Sequence, residues 1–293
     1  MKTLDFYGRV FPVWKANFHA HSTNSDGKLS PEELIAAYRG KGYDILNFSD
    51  HRKCNPVSEY DGKGMTLLSG MELHPEAPRG LGWHLLAIGV PEDFANCSEL
   101  PAQQVIDRVD ASGGVVFIAH PYWCGLTSAE LLTLRGYLGI EVYNSTCDNT
   151  GRSDSSQTWD ELLDFGLHCD ALGVDDIHSL EMCGLGWTMI AADSASPAAV
   201  LEALRRGRFY SSCGPEFTRL AFDGKVFEAE FTPCRDVAVY APLCHGLRQY
   251  ASGDGLLTRV RYDISDLRPG AYLRCRITDD RGRSAWSNPV YRA

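Results

Sequence analysis

The stretch from Phe18 to Gly27, FHAHSTNSDG, sets two histidines on alternate positions and an aspartate just ahead of a glycine. Residues two apart in an extended chain point to one face, so the imidazoles of His19 and His21 can reach a single ion. Read alone, the pair is better taken as buried, hydrogen-bonded structural histidines. Other stretches shift the balance. Asp50 and His51 close an apolar run, as do Glu72 and His74, then His120, then Asp175, Asp176 and His178, while His84 opens another run. Histidines mixed with carboxylates, without a set of thiolates, suit Zn, Fe or Mn rather than a closed structural zinc site.

These residues need elements to bring them together. Short apolar runs (KANFHAH, YDILNFSDH, MTLLSGMELH, WHLLAIGV, GVVFIAHP, GIEVYN, ALGVDD, TMIAAD) read as strands. Helix signals lie between several of them. SPEELIAAYRGKG opens with Ser30 as N-cap and Pro31 in the first turn, and LPAQQVIDRVDASGG, SQTWDELLDFG and SPAAVLEALRRG follow the same logic. Alternating strands and helices predict an α/β fold with parallel strands, whose C-terminal ends gather catalytic groups when the sheet closes into a barrel. Near residue 213 the pattern changes to alternating strands and turn signals, FEAEF, DVAVYAP, LLTRVRYDI, AYLRCRITDD and PVYRA, without a helix. The expected division is residues 1–212 as an α/β domain and 213–293 as a small antiparallel, sandwich-like β domain.

With 38 acidic and 28 basic residues the formal net charge is −10, which argues against a surface dedicated to nucleic acid. An anionic small-molecule substrate stays compatible with that charge when metal ions supply the positive field locally. The start of the chain, MKTLDFYGRVFPVWKANF, has no apolar run of signal-peptide length, and no stretch is long enough to span a bilayer. The 10 cysteines include no CxxC pair and read as reduced core thiols, so a cytoplasmic location is expected.

The motifs HAHSTNSDG (19–27), SDH (49–51), GMELH (70–74), WHLLAIG (83–89), AHP (119–121) and DDIH (175–178) resemble, in order and residue type, those of the PHP (polymerase and histidinol phosphatase) superfamily of metallohydrolases. The resemblance runs from residue 16 to about residue 193. It implies a distorted (β/α)7 TIM-like barrel with two or three divalent ions (Mn, Zn or Fe) at the strand ends. Carried over by motif, one ion is held by His19, His21, Glu72 and Asp176. Glu72 bridges to a second, completed by His84 and His120, and Asp26, His51 and His178 hold a third. His74 competes with His84 for the second ion, and His84 is preferred because the family places that histidine just before an apolar strand. Asp176 is preferred to Asp175 because the family has a D-x-H pair here. Asp50 is expected to orient an imidazole.

Such a cluster activates water and offsets charge on a phosphate ester, with no protein nucleophile. The expected activity is therefore a metal-dependent phosphoesterase acting on a small phosphorylated metabolite or nucleotide. Arg52, Lys53, His74, Asn144 and Arg152 are candidate substrate contacts, the arginines for their bidentate fit to phosphate. Tyr122 and Trp123 after AHP can stack on a flat group, core packing being an equal alternative. The run ALRRGRFYSSCGP and the later AWSNP echo a PHP branch that includes carbaryl-hydrolase-like proteins, so cleavage of a carbamate, ester or amide on the same metals is the alternative. A glycan- or protein-binding role for the β tail is the reading from another class.

Overall fold

The computed structural model describes residues 2–79, 82–253 and 255–292. A hairpin of β1 (Thr3–Phe6) and β2 (Arg9–Asn17) opens the chain, followed by α1 (Pro31–Gly40), β3 (Ile45–Phe48), β4 (Thr66–Leu73), β5 (Leu85–Ile88), α2 (Ala102–Ala111) and β6 (Val115–Ile118). Two four-residue helices, α3 (Pro121–Cys124) and α4 (Ser128–Leu131), precede β7 (Gly139–Asn144), α5 (Ser156–Asp164), β8 (Asp170–Val174), β9 (Trp187–Ala191), α6 (Pro197–Arg205) and β10 (Phe209–Ser212). Ser30 caps α1 as its sequence predicts: its hydroxyl accepts from the Glu33 N–H at 3.2 Å, and the Glu33 carboxylate accepts from the Ser30 N–H at 2.8 Å. Helix α2 buries Ala102, Val105, Ile106 and Val109, one face at helical spacing.

Strands β3, β5 and β6 are buried at every position, as strands covered on both faces must be, which explains the unbroken apolar sequences of β5 and β6; the one polar residue of β3, Asn47, donates to the Phe18 carbonyl at 2.9 Å. The ladder runs β2, β3, β4, β5, β6, β7, β8. Its ends meet beyond β2, where the Asp176 N–H donates to the His19 carbonyl at 3.0 Å and the His21 N–H to the Ile177 carbonyl at 3.1 Å. One expectation needs correcting. Strand β5 runs antiparallel to both β4 and β6, so the sheet is mixed. That reversal brings the start of β5, with His84, to the same rim as the ends of β4 and β6.

A second correction concerns TMIAAD. This segment, β9, lies antiparallel to β2 and to β10, outside the parallel run. Beyond β10 come β11 (Phe217–Phe222), β12 (Val226–Cys234), β13 (Asp236–Tyr240), β14 (Gly246–Tyr250), β15 (Leu257–Asp263), β16 (Tyr272–Thr278), β17 (Ser284–Ser287) and β18 (Val290–Tyr291). Their mutual pairings are antiparallel, and hydrogen bonding continues into the first part of the chain through β10–β17 and the parallel pair β1–β11. Strand β2 joins everything. Residues 9–12 pair with β1, residues 13–16 with β9, and residues 16–17 with β3. Phe11, Val13, Met189 and Tyr210 consequently share one core with Phe217, Phe227, Val237 and Ile277 of the tail.

The AWSNP motif acquires a mechanical meaning. The Asn288 side chain accepts from the Ala171 N–H at 2.9 Å and donates to the Gly207 and Phe209 carbonyls at 3.3 and 3.2 Å. It pins the tail to the edge of β8. Trp286 stacks on Tyr143 of β7, with ring centroids 5.6 Å apart. Arg274 of β16 is fully buried, forks onto Asp160 of α5 at 2.6 and 2.5 Å, and lies over the Tyr240 and Trp159 rings. No helix among the described residues is long and apolar enough to cross a membrane.

Candidate metal centre

His19 and His21 lie just past β2, held extended by the bridge to residues 176–177, so their rings share a face with centroids 5.0 Å apart. Their Nε2 atoms stand 3.3 and 3.4 Å from Glu72 Oε2, and 3.3 and 3.1 Å from Asp176 Oδ1. His19 Nε2, both ring nitrogens of His21 and Asp176 Oδ1 are buried and have no hydrogen-bond partner among the described residues. Buried polar atoms left unpaired cost roughly 1–3 kcal/mol each. Three of them, His19 Nε2, His21 Nε2 and Asp176 Oδ1, converge beside the buried Glu72 and fit a divalent cation, which would accept their lone pairs together.

Glu72, at the penultimate position of β4, faces the other groups as well. Its Oε1 lies 2.7 Å from His84 Nδ1 and 3.4 Å from His120 Nε2, and its Oε2 lies 2.9 Å from His51 Nδ1. Asp26 Oδ2 is 3.3 Å from His51 Nε2, and its Oδ1 is 3.4 Å from His178 Nε2. Ligand atoms close enough to share an ion thus form overlapping sets, among them His19–His21–Glu72 and His21–Asp26–His51–His178. Burial alone would raise the Glu72 carboxyl. The surrounding imidazoles, His19 first and then His120 and His51, outweigh it and hold the group well below the usual carboxylate range. Asp176 is lowered likewise, by His19, His21 and His120 acting against its burial.

The surrounding residues set orientation. His19 Nδ1 lies 2.6 Å from Glu141 Oε1; a carboxylate can only accept, so the proton sits on Nδ1 and Nε2 presents its lone pair. Glu141 also accepts from the His120 N–H at 2.8 Å and from the Asn144 amide at 2.9 Å. It is fully buried within the otherwise apolar start of GIEVYN, and that isolated charge was the signal available in the sequence. Cys124 Sγ lies 3.3 Å from His120 Nδ1 and orients that ring.

Asp50 departs from expectation. It touches no imidazole, but accepts from the Ser22 N–H and hydroxyl at 2.7 Å each, the Ser25 hydroxyl at 2.6 Å and the Asn55 amide at 2.6 Å. Its task is to fold the loop that presents Asp26. Gly27 completes that loop, because a Cβ there would lie 2.2 Å from the His21 carbonyl oxygen. Asp175 turns away from the cluster, accepting from Tyr38 and from the N–H groups of Gly184, Leu185 and Gly186.

A cavity of about 320 Å³ opens over the cluster, lined by Asp26, His51, Glu72, His84, His120, Asp176 and His178 together with Trp123, Thr146, Cys147 and Asn149. The last three had not been singled out from the sequence; they follow the end of β7. Of the expected substrate contacts, His74 lies behind the lining, its Nε2 2.8 Å from His51 Nδ1, and burial pushes its ring down to about 3. Asn144 is buried and donates to Glu141 and Asp176. Arg52 and Lys53 are exposed beside His51, and Arg152 sits over the Tyr122 ring; none of the three lines the cavity. A larger cavity of about 540 Å³, lined in part by Lys2, Lys15 and Trp187, contains no histidine.

A mixed α/β fold with a histidine–carboxylate cluster at one rim is what these observations define. A family model described as PHP-associated matches residues 176–209. A two-domain protein from Bacteroides vulgatus, described as containing a predicted PHP-like metal-dependent phosphoesterase, superposes with a TM-score of 0.54 at 16% identity, over 92% of this chain and 91% of that one. A lesion-specific endonuclease from Pyrococcus furiosus aligns at 14% identity with a TM-score of 0.48, over 67% of this chain and 56% of that one. A 5′-3′ exoribonuclease from Haemophilus influenzae is 29% identical over 94 residues, 31% of this chain; the match spans about a third (34%) of that relative's length. The resemblance to the PHP superfamily read from the motifs is borne out by the family model and the shared fold.

Proposed function

We propose that this chain is a metal-dependent hydrolase of phosphate esters. The observation that carries the reading is the convergence in one cluster of His19, His21, Glu72 and Asp176, with buried, unpaired ligand atoms, beneath a cavity lined by Asp26, His51, Glu72, His84, His120, Asp176 and His178. Two or three divalent ions bound there supply an activated water and offset the charge of the ester. The residues divide the work. His19, His21, Glu72 and Asp176 would hold one ion, Glu72 with His84 and His120 a second, and Asp26, His51 and His178 a third. Glu141 fixes the His19 tautomer and Cys124 the His120 ring. Thr146 and Asn149 line the cavity, the Thr146 hydroxyl donating to the Asp176 carbonyl, while Arg52 and Lys53 meet charge only outside it. The likeness to an exoribonuclease, limited as it is to 94 residues, agrees with a phosphate-ester substrate.

The same reading takes the ladder β2–β8 as a distorted seven-stranded barrel and residues 213–293 as a sandwich-like unit docked on it. Ten free cysteines agree with a reducing, cytoplasmic location. The test of function is a side-by-side assay of phosphate, carbamate and carboxylate esters with Mn and Zn added. Phosphate release is expected. Ester or carbamate cleavage with no phosphate release across a broad panel would establish the alternative hydrolase instead.

A further inference from the structure

Among the described residues, no lysine or arginine lines the cavity over the metal centre, although a phosphate ester is the proposed substrate. Its ligating side chains sit on one side, and the indole of Trp123 forms another part of the wall. Trp123 is 42% exposed, a large aromatic surface left uncovered beside the chemistry. Its position is fixed by a tight turn. His120 has a left-handed φ of 27°, Pro121 starts the four-residue helix, and Gly125 closes it at a φ of 67°. The turn sets the indole 5.2 Å from the His120 ring and 6.0 Å from the His84 ring, at interplanar angles of 82° and 68°. Neither imidazole stacks flat on it, so indole surface stays open to the cavity.

We propose that Trp123 is a stacking wall for a planar aromatic portion of the substrate, and that it selects esters of aromatic or nucleobase-bearing alcohols over those of small aliphatic ones. The inference rests on the phosphoester reading. With no lysine or arginine in the lining, the anionic end of the substrate is left to the ions and the imidazoles around them, and the rest of the molecule gains its contact from the indole. Stacking on an aromatic side chain tolerates many flat groups, because each has a π-face. Trp123 therefore sets the class of leaving group and not its identity.

The experiment compares kcat/KM for phenyl phosphate, a nucleoside 5′-monophosphate and glycerol phosphate in the wild type, Trp123→Leu and Trp123→Phe, with bound metal measured in each. Binding of phenylphosphonate and methylphosphonate is followed by calorimetry. The aromatic-to-aliphatic ratio is expected to favour aromatic esters in the wild type, to fall about tenfold in Trp123→Leu and to recover largely in Trp123→Phe, with metal content unchanged. The phenyl and nucleoside arms show which source of flat group is preferred. A ratio near one in the wild type, or one that Trp123→Leu leaves unchanged, overturns the proposal. If only carboxylate esters are cleaved, yet with the same Trp123-dependent ratio, the stacking wall stands and the phosphoester reading falls.

Discussion

Glu141 Oε1 lies 2.6 Å from His19 Nδ1, both groups fully buried, and this contact fixes which nitrogen of His19 faces the cluster. Replacing Glu141 by alanine removes the acceptor, strands the His120 N–H and leaves the Asn144 amide only its bond to Asp176. Partners of this kind typically contribute 10–100-fold to metal affinity. Glu141→Ala is therefore expected to weaken binding of the ion beside His19 by about that factor, read from competition with a chromogenic chelator. Unaltered affinity would leave Glu141 a purely structural carboxylate.

Asp50 gives a different kind of expectation, because its two oxygens face four donors. An amide in its place offers one acceptor oxygen and turns two N–H donors toward groups that are themselves donors. Asp50→Asn should cost about 2–4 kcal/mol of stability. It should also loosen the loop carrying Asp26, so that purified protein holds fewer ions while those at His19, His21 and Glu72 persist. Differential scanning calorimetry and metal analysis read the two effects separately.

Glu72 is the group that two of the three ligand sets share. A metal-replete Glu72→Ala variant is expected to lose hydrolysis by about a thousandfold, the scale on which removal of one preorganised charged group is felt. Full activity in that variant would show that the carboxylate does not bridge the centre.

The sequence made the cluster legible because its ligands fall at the ends of strongly apolar runs, where strand periodicity and position both constrain them. His84 was harder to place. It precedes its strand, and only the antiparallel course of β5 brings it to the rim. Glu141 escaped notice because it is one residue inside a strand whose neighbours, Ile140 and Val142, are core. Asp50 was read by proximity to His51, but the chain turns between them and Arg52, which has a φ of 57°, sends Lys53 outward. The strand change within β2 was not legible at all. Its residues look like one amphipathic strand, and pairing partners far along the chain, at β1, β3 and β9, decide the rest.

The buried Arg274 and the part-exposed Asp160 join β16 to α5. Removing Arg274 leaves a half-buried carboxylate unpaired and empties the space between two rings, which together cost about 3–5 kcal/mol. Arg274→Met is expected to lower Tm by about 10 °C, at roughly 2–4 °C per kcal/mol for a chain of this size. Pairing it with Asp160→Leu should recover much of the loss, because the stranded carboxylate is then gone as well. A double variant no more stable than the single one would place the effect in lost packing against Trp159 and Tyr240.

Asp170, at the start of β8, supplies a pH-dependent test away from the metal centre. Burial pushes its carboxyl from the ordinary 3.8 up to about 7, and among the described residues the carboxylate accepts no hydrogen bond. A carboxyl whose folded pKa lies above its unfolded value favours folding below the unfolded value and loses that advantage as pH climbs through the folded one. The cost of holding Asp170 ionised is therefore absent at pH 3.5, grows between about pH 4 and 7, and is complete at pH 8. Asp170→Asn removes the ionisation and keeps the shape. It is expected to raise Tm by about 2–4 °C at pH 8 relative to wild type, the gain shrinking toward zero at pH 4. An equal shift at both pH values would mean that the amide acts through new hydrogen bonds near Gly207 and not through the lost charge.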